Sequence, residues 1–306
     1  MRVAPALAAW AAWTSLVGTV LGAVGALASA SRACALGTGI CACTFAFVSL
    51  CSRWAVSWDA DLVVMGARPW IGASGAETDA RREARPCLVL LHPHGLCVGM
   101  AILCQSRAGF SQSPRPSCAV SALGALGGLA QFGWRVIKPD AVGAQMARGC
   151  DILVYPGGHR ECTQHDGTRD IANVGSRGAI RLALVHGYDV RVAYAFGERT
   201  IAVNVRGCAR IRAWLASCRV PAIVPIPTRA VLDARAVRVA VSAPCAFPAL
   251  RDPSDADVSR WHALYVAELC SLHAEFRSER DPRQLTLFCG VASQHYGPQR
   301  AISTDI

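Results

Sequence analysis

The chain has little charge and almost no lysine. Charged residues make up 17% of its 306 residues, and Lys138 is the one lysine. Basic runs interleaved with aromatics are missing, so nucleic acid is set aside as a partner. No two cysteines stand at Cys-x-x-Cys spacing, and Cys41-Ala42-Cys43 is too close for a metal knuckle. The 15 cysteines are odd in number and several lie in apolar stretches. They read as reduced, alanine-like fillers of a cytosol-facing protein, not as a disulfide framework. No Gly-x-Ser-x-Gly elbow occurs, which counts against an α/β-hydrolase lipase. Gly124-Ala125-Leu126-Gly127-Gly128 lacks the spacing of a dinucleotide fingerprint, and no internal repeat is present.

What the chain has in abundance is apolar surface: 53% of its residues are hydrophobic. The net charge of +10 comes almost wholly from arginine. Such a chain suits an anionic membrane face or the phosphates of a nucleotide-bearing substrate. Its length covers one domain with a full core plus a membrane anchor.

The anchor is expected at the start. Val3–Ser31 carries no charge; Arg32 interrupts, and Ala33–Ser52 is again uncharged before Arg53. About 20 apolar residues cross a bilayer core as a helix. The two runs predict a transmembrane helical hairpin over residues 1–54, both ends on one side. Ala28-Ser29-Ala30 resembles a signal-peptide cleavage site, but the apolar stretch is too long for that reading and a second run follows directly.

A polar connector, 55–86, precedes the domain expected at 87–278, and 279–306 reads as a loose carboxyl-terminal tail. Cys87–Leu91 and Asp151–Tyr155 are short apolar runs, expected as strands buried on both faces. Ala179–Val185 has helical periodicity closed by His186-Gly187, and Val190–Phe196 reads as a strand. Alternating strands and helices predict an α/β fold with a mainly parallel sheet. Asp252-Pro253 is expected to start a last helix through Trp261, Tyr265 and Leu269 to about Phe276.

Three blocks carry chemistry. His92-Pro93-His94-Gly95 follows a strand, where open α/β sheets place ligands. Proline stiffens the turn, glycine allows close approach, and imidazole titrates near neutrality, as a general base must. The alternatives are inert turn histidines, or a metal site completed by His159, His165 or a carboxylate. Pro156-Gly157-Gly158 with Glu161 is the second block: glycine N–H groups suit an oxyanion, and an acid can orient a catalytic histidine. Read alone, it is equally an ordinary glycine turn. The third block opens a helix with Arg177 and Arg181 one turn apart, either an anion site or a solvated basic face.

At these blocks the sequence resembles the diacylglycerol acyltransferase 2 family, which includes monoacylglycerol and wax-alcohol acyltransferases. The likeness runs through His92-Pro93-His94-Gly95, Pro156-Gly157-Gly158 with Glu161, Arg177-Gly178, Leu182-Ala183-Leu184, His186-Gly187, Tyr194, Phe196-Gly197-Glu198, and the last helix with His262 and Tyr265. It implies a glycerophosphate-acyltransferase-like sheet-and-helix domain behind the hairpin. It also implies an enzyme of the endoplasmic-reticulum membrane, and of lipid droplets, with its catalytic domain in the cytosol. The implied reaction takes an acyl chain from acyl-CoA to diacylglycerol, giving triacylglycerol, with no bound cofactor and no metal. His94 is the implied base and Glu161 its partner, beside His92; Gly95, Gly157 and Gly158 would form the turn and oxyanion donors, and Arg177 and Arg181 the acyl-CoA contacts. Monoacylglycerol or a long-chain alcohol as acceptor, and an inactive membrane scaffold of the same fold, are the alternatives.

Overall fold

The computed structural model describes residues 63–64, 70, 85–94, 103, 117–119, 135–158, 160–161, 169–204, 225–227, 237–277 and 285–289. The expected hairpin, most of the connector and Gly95 lie outside the described residues. Among the described residues no helix is long and apolar enough to cross a membrane.

Seven strands make the path of the main sheet: β1 (Val63–Val64), β2 (Cys87–His92), β3 (Ser117–Ala119), β4 (Arg135–Ile137), β5 (Ile152–Val154), β7 (Asp189–Phe196) and β10 (Arg238–Val241). Their order is β1-β10-β7-β2-β5-β3-β4, and β11 (Cys245–Ala246) adds an eighth strand on β7. The run β7-β2-β5-β3-β4 is parallel throughout. β10 and β11 pair with β7 antiparallel. The mainly parallel sheet expected from the alternating pattern is what forms.

β2 sits at its centre, and all six of its residues are buried. A parallel strand covered on both faces must be apolar at successive positions, which is why Cys87-Leu88-Val89-Leu90-Leu91 has no polar alternation. Each fully buried leucine contributes about 1.5–3 kcal/mol, enough to set the register against a one-residue slip. Register matters here because it carries His92, the last residue of β2, to a fixed place opposite Tyr194.

Helices cover the sheet. α1 (Val142–Met146) precedes β5, and α2 (Gly178–His186) precedes β7. Gly187 ends α2 in the left-handed conformation at φ 63°, as the His186-Gly187 pair predicts. A short α3 (Glu198–Ile201) leads to β8 (Ala202–Asn204), which pairs with β9 (Pro225–Pro227).

The last helix, α4 (Asp255–Phe276), is 22 residues long. Its start differs from the Asp252-Pro253 expectation. Ser254 is the N-cap, accepting the Asp257 N–H, while the Asp257 carboxylate accepts the Ser254 N–H at 3.0 Å. This reciprocal pair satisfies two orphan donors at once, which a cap two residues earlier would not. Val258, Tyr265, Leu269 and Leu272 form its buried stripe at helical spacing.

The expected loose tail is corrected at its beginning. Leu285–Phe288 forms β12, paired in parallel with β6 (Asp170–Asn173). Leu287 and Phe288 are buried, so this segment closes core rather than trailing from it.

Candidate active site

In a parallel pair the carboxyl ends of both strands lie on the same edge. β2 and β5 are neighbours, with Leu90 opposite Val154. The turn after β2, His92-Pro93-His94, therefore meets the turn after β5, Tyr155-Pro156-Gly157-Gly158. The His92–Pro93 peptide bond is cis. Glu161 follows within one helical turn, and its carboxylate lies fully buried between the two turns.

Glu161 is the hub. Its Oε2 accepts His92 Nδ1 at 2.9 Å and the Asn173 backbone N–H at 2.7 Å. Its Oε1 accepts the backbone N–H of His94. Gly157 makes room for it: a Cβ there would overlap the carboxylate and come within 2.9 Å of the Glu161 Cβ. This close approach, more than any turn angle, requires glycine. Gly158 adopts φ 54°, and its N–H donates to Tyr155 O at 3.2 Å. That N–H closes the turn, so of the expected oxyanion donors Gly158 is otherwise engaged.

The two histidines are placed differently. His92 is fully buried, and its second ring nitrogen, Nε2, meets the hydroxyl of Tyr265 from α4. Both nitrogens are held by protein groups, which removes His92 as a metal ligand. Among the described residues no cluster of histidine, cysteine and carboxylate could hold a metal. His94 is only half-buried, its ring stacked on Tyr155 at 4.5 Å between centroids. Sequence reasoning paired Glu161 with the His94 imidazole. The carboxylate instead holds the His94 backbone and the His92 ring.

Asn173, the last residue of β6, was not singled out by the sequence. Its side-chain amide donates to Gly157 O at 3.1 Å and its Oδ1 accepts the Gly175 N–H at 3.1 Å. It ties the glycine turn to the approach of α2. Tyr265 has a phenol held well above its ordinary pKa, first by burial and then by the Glu161 carboxylate. A second buried pair, His273 Nε2 with Asp170 Oδ2 at 3.0 Å, joins α4 to β6 away from the turns.

Arg177 and Arg181 lie at the start of α2, as expected, but both reach toward α4. Arg177 donates to Ser259 Oγ at 2.9 Å; Arg181 donates to Pro253 O at 2.7 Å and pairs with Asp255. Arg177 is exposed, while the remainder of Arg181 is partly covered.

Burial raises the pKa of both Cys87 and Cys245 to about 12, so neither presents a thiolate near neutral pH.

A model of the diacylglycerol acyltransferase family matches residues 139–288. Over that span the chain is similar to the diacylglycerol acyltransferase family. The matched span holds Glu161, Asn173, both arginines and Tyr265, and it runs through β12; His92 and His94 precede it. No curated protein and no solved structure matches the chain. The match supports an acyltransferase of lipid and triacylglycerol synthesis. The substrates the family implies are acyl-CoA and a diacylglycerol-like lipid alcohol.

Proposed function

We propose that this diacylglycerol acyltransferase-like protein moves the acyl group of acyl-CoA directly to the hydroxyl of diacylglycerol, with His94 as general base. The observation that carries the reading is the split between the histidines. His92 is sealed, with both ring nitrogens engaged, whereas His94 is half-buried on a backbone that Glu161 fixes. A base must reach the proton it removes, and of the two rings His94 is the one that is only partly buried.

In this mechanism the His94 ring takes the hydroxyl proton as the oxygen attacks the thioester carbonyl. The tetrahedral oxyanion forms against backbone N–H groups, with Gly95 and Gly157 as the donors in this reading. Collapse breaks the carbon–sulfur bond, and the coenzyme A thiolate recovers the proton from the imidazolium. No acyl-enzyme is needed. Arg177 and Arg181 are proposed to meet the phosphates of acyl-CoA. The hairpin at residues 1–54 would hold the domain, of glycerophosphate-acyltransferase-like type, on the cytosolic face of the endoplasmic reticulum or a lipid droplet. Monoacylglycerol and long-chain alcohols are the competing acceptors.

The test is ester formation in microsomes from labelled acyl-CoA, with diacylglycerol, monoacylglycerol and a long-chain alcohol offered separately. Triacylglycerol as the main product, with one coenzyme A released per ester, is expected. No ester from any acceptor would overturn the reading in favour of an inactive scaffold.

A further inference from the structure

We propose that Tyr265 is a positioning residue for the acyl transfer, acting through His92 and Glu161 on His94. The inference rests on the proposed role of His94. It follows from donor and acceptor bookkeeping along one buried chain. Backbone N–H groups can only donate, and those of His94 and Asn173 occupy one carboxylate oxygen each. As a carboxylate Glu161 accepts on both oxygens, and His92 Nδ1, 2.9 Å from Oε2, donates to it. A neutral imidazole that donates from Nδ1 can only accept at Nε2. The group facing Nε2 is the Tyr265 hydroxyl.

The phenol is suited to that task. Burial and the nearby carboxylate keep it protonated, so it remains a donor at any working pH. Its ring lies nearly parallel to that of His92, with an interplanar angle of 25°. α4 holds it rigidly: Tyr265 is fully buried, and His262, one turn earlier, is tied to Val174 O at 2.7 Å. Without the hydroxyl, Nε2 would be a buried acceptor with no donor. The Nδ1–H bond to the Glu161 carboxylate forbids the other tautomer, so the ring can relieve that loss only by moving in its site. That movement would loosen the grip of Glu161 on the His94 backbone. Tyr265 thus holds the His92 ring where it keeps Glu161, and through it the base, in place, without touching substrate.

Tyr265→Phe keeps the ring and removes only the donor. In the microsomal ester assay we expect kcat to fall about tenfold while the KM for acyl-CoA is unchanged, since a buried group loses its partner but the substrate surface does not change. His92→Gln combined with Tyr265→Phe should be no worse than His92→Gln alone, because the phenol acts only through that ring. p-Aminophenylalanine at position 265, which restores a ring donor, should recover kcat. The wild type and His94→Ala, run in parallel, separate the two claims. If the wild type forms ester and His94→Ala does not, a normal kcat in Tyr265→Phe, or losses that add in the double variant, would overturn the role of Tyr265 alone. A wild type without activity, or a fully active His94→Ala, would overturn the role of His94 and this inference with it.

Discussion

The Glu161 carboxylate accepts the backbone N–H of His94 and leaves the His94 ring to Tyr155. The acid therefore serves the His92-Pro93-His94 turn as an anchor. Its ring partner is His92, at 2.9 Å.

This anchoring makes a charge-neutral substitution severe. Glu161→Gln preserves size, yet one carboxylate oxygen becomes an NH2 group facing N–H donors from His92, His94 or Asn173. Two donors in contact with no acceptor leave a buried group unsatisfied, at a cost of about 1–3 kcal/mol. We expect ester formation to fall at least as far in Glu161→Gln as in His92→Ala, with a lower melting temperature in detergent. Near-normal turnover in Glu161→Gln would show that the carboxylate is not the shared acceptor.

The two glycines of the second turn should separate cleanly. Gly157→Ala drives a methyl group into the Glu161 carboxylate, so it should abolish transfer much as loss of Glu161 does. Gly158 has open space around its Cβ position but sits at φ 54°. Gly158→Ala should cost only the left-handed backbone strain, about 1–2 kcal/mol, and retain measurable activity. Equal activity in the two alanine variants would remove the close-approach argument.

The strand β2, the second turn and the helix from Gly178 to His186 were readable because each is a local pattern: an unbroken apolar run, paired glycines, and helical periodicity ending at His186-Gly187. β6 was not. Its four residues, Asp170-Ile171-Ala172-Asn173, are too short for period-two alternation, and its polar ends look like a turn. Those ends are polar for tertiary reasons: Asp170 meets His273, and Asn173 serves Glu161 and Gly157. β12 escaped notice for the same reason, since it is defined by pairing with β6. The different placement of His92 and His94 also depended on Tyr265, 173 residues away from His92 in sequence. No local motif reports such a contact.

His262 supplies a pH signature. Burial, outweighing its hydrogen bond to Val174 O, lowers its pKa below 6.5, and Arg177 adds to the lowering. The unfolded chain then binds a proton that the folded one resists. Stability should be unaffected above about pH 6.5 and fall as pH drops toward the depressed folded value. His262→Gln should flatten this part of the melting-temperature profile between pH 7 and 5. An unchanged slope in the variant would assign the acid sensitivity elsewhere.

Arg177 and Arg181 should behave differently despite sharing a helix start. Arg181 holds Pro253 O and Asp255 at the start of α4, so Arg181→Gln should lower the melting temperature. Arg177 is exposed, with Ser259 as its partner. Arg177→Gln should raise the apparent KM for acyl-CoA more than that for the acceptor, since a charge-assisted phosphate contact contributes about 1.5–3 kcal/mol. An unchanged acyl-CoA dependence at normal expression would leave Arg177 a solvated cation.

The central claim is that His94, not His92, takes the proton from the acceptor hydroxyl. The direct measurement is triacylglycerol formation from labelled acyl-CoA in microsomes, normalised to the amount of enzyme, for His94→Ala beside His92→Ala. Loss of a general base typically lowers the rate about 10²–10⁴-fold, and His94→Ala should fall in that range with its melting temperature preserved. His92→Ala should retain more activity but melt earlier, since it empties a buried site bonded to Glu161 and Tyr265. A His94→Ala enzyme that keeps its rate, or one that outperforms a stably folded but inactive His92→Ala, would contradict the account.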